Sequence, residues 1–313
     1  MTITNLVLGL TFSLTLGLTS SLTSSLTLSL TSSLTGSLTS SLTGSQTAGR
    51  FEVTAKSRAV QPGELVVLTM IAPVHVDQVR VHAFGHEVAT FTTLSPGDRT
   101  WQALVGIDLG VKPGAYPVAI DGGAGQHTTF ELIVTPKRFP TRRLTVDDSF
   151  VNPPPSEQER IEREAKLLSD VWQAPTAERL WTEPFVRPVA EPANSRFGTR
   201  SIFNGVPRNP HGGADFLSPS GTPIHAPNAG RIVVARNLYF SGNTVIIDHG
   251  LGLFSMLAHL SAMDVKEGDR VSAGQIVGRV GATGRVTGPH LHWAVRASGA
   301  RVDPVSVLAM LGK

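Results

Sequence analysis

Six of the ten histidines fall in the last 113 residues, and four of these form a pattern with one acid. His211 and Asp215 make a His-x-x-x-Asp pair in His211-Gly212-Gly213-Ala214-Asp215. His259 stands in Ala258-His259-Leu260, and His290 and His292 flank Leu291. Imidazole nitrogens and a carboxylate oxygen hold zinc well, at about 2.0–2.1 Å. A catalytic zinc takes three protein ligands and leaves a fourth position open. Four histidines and one aspartate exceed that need by two. The surplus pair is chemically suited to hold or deprotonate water and to stabilise an oxyanion. The chain has no cysteine, which excludes a thiol nucleophile, a Cys-ligated metal and a disulfide scaffold. It also has no Gly-x-Ser-x-Gly nucleophile elbow. Metal-assisted hydrolysis is therefore the chemistry that the residue types favour.

Such a constellation needs strands to aim it. In a strand, residues i and i+2 face the same side, so His290 and His292 point into one pocket while Leu291 packs on the other face. Gly-punctuated β runs at 231–235, 244–248, 276–280 and 291–295 predict an antiparallel β domain over residues 197–313 with little helix. Residues 50–136 contain seven short apolar or alternating runs, at 51–55, 65–71, 79–83, 88–92, 101–107, 116–120 and 130–134. Pro-Gly and Gly-Gly turns separate them, which predicts an immunoglobulin-like β-sandwich. His75, His82, His86 and His127 in this region have no ligand spacing and read as solvated or capping residues. Residues 137–196 are a connector. After Pro153-Pro154-Pro155, Ser156 and Glu159 form a capping-box pattern, and Ile161, Leu168 and Trp172 share a face, so one helix is expected to pack on a neighbouring domain. The fold class is thus mainly β: a sandwich, a short helical connector and a C-terminal antiparallel β domain.

With 313 residues, 41% hydrophobic and 16% charged, the chain is long enough for two folded domains and too apolar for global disorder. Residues 1–49 differ from the rest. They carry no charged side chain, and Leu recurs every fourth residue from Leu14 to Leu42. A period of four fits neither a helix nor a solenoid and builds no core. The apolar stretch Leu6–Leu18 and the small residues Thr47-Ala48-Gly49 read as an export-signal-like segment, with a membrane anchor as the competing reading. Residues 201–313 carry ten Lys and Arg against six Asp and Glu, a mild bias toward an anionic partner. No nucleic-acid motif accompanies it.

The C-terminal segment resembles the lysostaphin/LytM-like zinc metallopeptidases. The resemblance runs through Asn204-Gly205, His211-Gly212-Gly213-Ala214-Asp215 and the stretch from Gly221 to Pro227. It continues through the stretch from Gly242 to Gly250, His259-Leu260, Gly281-Ala282-Thr283-Gly284 and Gly288-Pro289-His290-Leu291-His292. It covers residues 197–305, about a third of the chain. More loosely, the preceding β region and proline-bearing connector resemble exported Gram-negative members. The resemblance implies that His211, Asp215 and His292 ligate zinc. It implies that His259 and His290 position and activate water and stabilise the oxyanion, leaving open which is the base. His225 and His249 match positions that are not ligands. Where members often carry Tyr, two residues before His259, this chain has Leu257, a change expected at the groove wall. The implied activity is endopeptidase cleavage of peptidoglycan cross-links, at the D-alanyl–diaminopimelate bond on the Gram-negative likeness, in the periplasm or cell envelope. On this reading the C-terminal domain alone cuts, and residues 51–135 target it or gate its groove.

Two other readings compete. An inactive relative that regulates wall hydrolases or binds peptidoglycan would lack zinc ligands, whereas all five positions are filled here. A biotinyl- or lipoyl-type carrier would need a Lys on a hairpin tip. After residue 200 only Lys266 and Lys313 occur, and neither has that setting.

Overall fold

The computed structural model describes residues 51–72, 76–92, 99–123, 125–146, 152–195 and 197–313; the expectations for residues 1–49 and for His75 lie outside them. The protein is mainly β, with two sheet regions separated by a short helical connector. The first region has eight strands: Glu52–Lys56 (β1), Leu65–Ile71 (β2), Arg80–Ala83 (β3), His86–Val88 (β4), Thr90–Thr92 (β5), Thr100–Gly106 (β6), Gly114–Gly123 (β7) and Gln126–Val134 (β8). They form two antiparallel sheets, ordered β1-β2-β6-β5 and β4-β3-β7-β8. The expected run at 88–92 is shared between the sheets. His86–Val88 pairs with β3 and Thr90–Thr92 with β6, so the chain changes sheets at Ala89. A continuous run of strand-forming residues does not show where the backbone leaves one ladder for another.

Strand β2, Leu-Val-Val-Leu-Thr-Met-Ile, is apolar on both faces, as a strand covered on both sides must be. Val66, Leu68 and Met70 enter the core between the two sheets. Leu65, Val67 and, on β6, Leu104 enter a second core, built mostly from the C-terminal region. Gly106 is where the backbones meet. A Cβ there would lie 2.7 Å from both the Ala297 carbonyl oxygen and the Ala300 Cβ.

Polar groups lock the same seam. Asp108 accepts hydrogen bonds from Arg301 N (2.9 Å), Nε (3.0 Å) and Nη2 (2.7 Å). Arg58 bridges Glu64 (2.9 Å) and Asp303 (2.8 Å), and Lys137 reaches Glu64 at 2.8 Å. Burial would raise the Asp108 pKa, but the hydrogen bonds from Arg301 and Gly110 outweigh it and hold it at about 2. Because the folded value lies below the ordinary 3.8, Asp108 contributes stability that is complete above about pH 4 and lost as pH falls toward 2. Asp108→Asn is expected to cost about 1–3 kcal/mol at pH 7 and much less at pH 2. Urea denaturation of both proteins across that range measures it, and a pH-independent difference would contradict the assignment.

In the connector, Thr141–Leu144 (β9) precedes a short 3-10 turn, Pro155–Glu157, and the helix Gln158–Gln173 (α1). The expected capping box does not form. Ser156 lies inside the 3-10 turn, Glu157 occupies the N-cap position, and no side chain caps the helix. The proline run starts the tight turn before Ser156 could reach a free helical N–H. The Lys166–Asp170 pair (2.7 Å) supports the exposed side of α1, whereas Arg160 and Glu164 (2.7 Å) also reach the C-terminal region, at Asn237 (3.0 Å) and the Tyr239 N–H (2.7 Å). Two of the three residues of the expected apolar face pack as predicted: Leu168 and Trp172, joined by Val171, lie on Val234, Ile246 and Phe254 of the C-terminal region, whereas Ile161, a turn and more earlier, is not part of this cluster. The Trp172 and Phe254 rings meet edge-on at 5.3 Å.

The C-terminal region comprises Ala193–Ser195 (β10), Arg200–Phe203 (β11), Val206–Pro207 (β12), Gly213–Phe216 (β13), Pro223–His225 (β14), Gly230–Leu238 (β15), Gly242–Gly250 (β16), Leu253–Met263 (β17), Arg270–Val271 (β18), Ile276–Val280 (β19), Leu291–Ala297 (β20) and Ala300–Val302 (β21). A short helix, Pro304–Leu311 (α2), capped by Asp303, closes it. The main sheet runs β10-β13-β20-β17-β16-β15-β18 and is antiparallel throughout, with β14, β19 and β21 attached. Its core does not stop at residue 197: Trp181, Phe185 and Val189 belong to it along with Leu65, Val67 and Leu104. Strand β9 also pairs in parallel with β11. No helix among the described residues is long and apolar enough to cross a membrane.

Candidate metal centre

Strands β13, β20 and β17 lie side by side at the middle of the sheet. Asp215 is the Cα partner of His292, which is in turn the partner of Ala258. Alternation buries Ala214, Phe216, Leu291 and Trp293 in the core and leaves Asp215 and His292 on the open face. His211 lies in the loop before β13, held by its N–H to the Thr199 carbonyl at 2.9 Å. Gly213 permits the convergence, because a Cβ there would lie 2.8 Å from the His292 ring.

Three ligand-type atoms meet. His211 Nε2 is 3.0 Å from Asp215 Oδ1, His292 Nδ1 is 2.8 Å from the same oxygen, and the two nitrogens are 3.1 Å apart. Protons alone serve this triangle poorly. If both rings donate to the carboxylate, their N–H groups oppose each other at 3.1 Å. A cation removes the conflict, and ligands at about 2.0–2.1 Å around a tetrahedral ion stand about 3.3 Å apart. The triangle fits such an ion, and this is the one cluster of three metal-binding side chains among the described residues. The Asp215 carboxyl is held far below the usual carboxylate range: burial opposes this, and the His211 and His292 hydrogen bonds overcome it. Burial lowers the His292 pKa, so the ring favours the neutral form that a ligand needs.

The other two histidines border the same space. The His259 and His290 ring centroids are 4.8 Å apart, and those of His259 and His292 are 5.9 Å apart. His290 Nε2 stands 3.8 Å from Asp215 Oδ1. His259 Nδ1 donates to the Thr283 carbonyl at 3.0 Å, and His290 Nδ1 to the Gly288 carbonyl at 2.9 Å. Because each Nδ1 carries the proton, each neutral ring keeps its Nε2 lone pair available. His259 sits where β17 leaves β20 for β19, between Ala258↔His292 and Leu260↔Val280. Its φ of +68° is left-handed, a conformation uncommon for non-glycine residues. Burial, and next the nearby His292, lower its pKa to about 4 against the pull of the Thr283 carbonyl, so the ring is neutral at pH 7.

His290 lies just outside β20, in an isolated bridge with Gly281, and still faces the same side as His292. The structure therefore gathers all five sequence-derived residues in one place. His249 is fully buried elsewhere, between the Ala229 carbonyl (2.7 Å) and Ser255 Oγ (2.9 Å), and His225 Nδ1 meets the Gly274 carbonyl at 2.8 Å. His82, His86 and His127 are exposed on strands. Leu257 contradicts its expectation. It is wholly buried in the core and forms no part of the groove wall, because it sits one register position from Ala258, facing away from the site. Sequence reasoning gave no hydrogen-bonding role to Thr283 or Gly288. They act through backbone carbonyls, which leave no residue-type signal beyond the glycine-rich segments that hold them.

Residues 209–304 match the model of peptidase family M23. A crystal structure from Pseudomonas aeruginosa described as a peptidase M23 superposes with a TM-score of 0.63 and 33% identity, over 80% of this chain and 95% of that one. The chain belongs to peptidase family M23. Among curated relatives, the peptidoglycan DD-endopeptidase ShyA of Vibrio cholerae is 46% identical over 94 residues, 30% of this chain. The DD-carboxypeptidase/endopeptidase Mpg of Neisseria meningitidis is 45% identical over 97 residues, 31% of this chain. The chain matches about 22% of the length of each of these relatives. The M23 match and the five clustered residues coincide, since the match contains all of them.

Proposed function

We propose that this M23 chain is a zinc-dependent endopeptidase that hydrolyses peptide cross-links of bacterial peptidoglycan, with the D-alanyl–diaminopimelate bond as its target. The observation that carries this reading is the meeting of His211 Nε2, Asp215 Oδ1 and His292 Nδ1 beside two further imidazoles whose Nδ1 atoms are tied to carbonyls. His211, Asp215 and His292 are the ligands in this reading. When bound, zinc supplies Lewis-acid chemistry, polarising the scissile carbonyl and easing deprotonation of water. His259 and His290 are the catalytic pair. A neutral ring with Nδ1–H fixed accepts the water proton at Nε2. The resulting imidazolium hydrogen-bonds the oxyanion through that Nε2–H without releasing the proton, and transfers it to the leaving amine as the C–N bond breaks. The substrate choice rests on the likeness to ShyA and Mpg, whose names state DD-endopeptidase activity.

The domain roles belong to the same proposal. Residues 50–136 form the sandwich, 137–196 the connector and 197–313 the peptidase domain, and residues 1–49 direct export to the envelope, where the substrate lies. The strand orders β1-β2-β6-β5 and β4-β3-β7-β8 correspond to ABED and C′CFG, which supports an immunoglobulin-like sandwich. The test is digestion of purified, cross-linked cell wall, with mass analysis of the released peptides. Chelator-sensitive release of uncross-linked stem peptides, restored by zinc, is expected. Cleavage of pentaglycine bridges alone would overturn the substrate, and no cleavage by zinc-loaded protein would overturn the activity.

A further inference from the structure

A second cleft lies between α1, the β3–β4 hairpin and the end of β20, with a volume of about 1140 Å³. Its walls include Glu87, Leu168, Ser169, Trp172 and Arg296, and it reaches Asn209, two residues before His211. Arg296 follows His292 by four residues on the same strand. It therefore lies on the same sheet face, about 13 Å along at roughly 3.3 Å per residue, where α1 partly covers that face. The guanidinium stacks over the Trp172 ring at 5.0 Å, and Nη1 donates to the Gly299 carbonyl at 3.0 Å. Among the described residues, no carboxylate lies within ion-pair distance of it. The neighbouring Asp108 is fully committed to Arg301 and the Gly110 N–H. Burial, and next the nearby Arg301, disfavour the Arg296 charge, and Asp108 offsets this only in part. A partly buried cation with no carboxylate paired to it gains from a bound anion, and a planar fork backed by an aromatic ring is suited to a carboxylate.

The geometry points to Arg296, stacked on Trp172, as a carboxylate-recognition subsite that holds a free carboxylate of the substrate peptide at a distance from the metal centre. This deepens the peptidoglycan reading and rests on it, since stem peptides carry free carboxylates along an extended backbone. Arg296 is a specificity determinant here and takes no part in the bond cleavage.

The test compares a cross-linked stem-peptide dimer having free carboxylates with the same dimer fully amidated. Arg296→Gln should lower kcat/KM on the free dimer about 10–100-fold, mainly through KM, the worth of a charge-assisted pair. On the amidated dimer the two proteins should differ by less than about threefold, and Arg296→Lys should recover part of the loss on the free dimer. Equal losses on both dimers, or none on the free one, would overturn the subsite. A second measurement does not depend on cleavage. Adding free stem tetrapeptide to the isotope-labelled full chain should shift the Trp172 indole resonance. The amidated peptide, or the Arg296→Gln protein, should give no such shift. If the wild type cuts neither dimer, the peptidoglycan activity fails, and the titration still decides the subsite: a carboxylate-dependent Trp172 shift supports it and its absence refutes it.

Discussion

Asp215→Ala and His292→Ala proteins are expected to lose bound zinc and, with it, all measurable hydrolysis. Either change removes one corner of a triangle whose edges are 2.8, 3.0 and 3.1 Å. Two remaining donors cannot fix a tetrahedral ion with an open position. Loss of an outer partner already costs about 10–100-fold in metal affinity, so loss of a ligand should exceed about 100-fold. Metal content of the purified variants, with zinc titration under a competing chelator, measures this. One zinc per chain is expected in the parent protein. Undiminished zinc in His292→Ala would refute the ligand set. Metal lost from His290→Ala but kept in His292→Ala would show that the two histidines exchange roles.

The second large effect separates chemistry from binding. Replacing His259 or His290 should leave zinc in place and lower kcat about 10²–10⁴-fold, the usual worth of positioned acid–base help. The two share one proton path, so the double variant should fall little below the worse single one. His259 requires care because of its φ of +68°. Alanine in that conformation adds backbone strain, whereas asparagine tolerates it. His259→Asn is therefore the informative variant. If it folds, binds zinc and retains full activity, His259 is no part of the proton path. Thermal unfolding alongside kinetics keeps loss of fold distinct from loss of chemistry.

How much of this was legible in the chain differs from feature to feature. The His-x-His spacing implied a shared face, and the structure places both rings there even though His290 stands just outside β20. The apolar spacing of Leu168 and Trp172 implied a packed helix, and α1 is packed. The capping box was misleading because a local pattern competes with its neighbours, and three prolines set the tight turn first. Leu257 was misassigned to the groove because a family position says nothing of which side of a strand it occupies when the chain bulges between Leu257 and Leu260.

The sequence by itself determined the donor types, the absence of competing nucleophiles, the β periodicity and the family resemblance, since these depend on residue identity and short-range spacing alone. Only the tertiary structure decided which atoms meet: Nε2 of His211 but Nδ1 of His292, brought together across 81 positions by the pairing of β13 with β20. It also decided that β2 and β6 face two cores at once, and that Arg296 shares a sheet face with His292 beside a helix from the connector. Contacts of this kind arise from strand register and from the docking of distant segments. No local pattern encodes them, because side-chain alternation tells only which residues share a face, and packing chooses what covers that face.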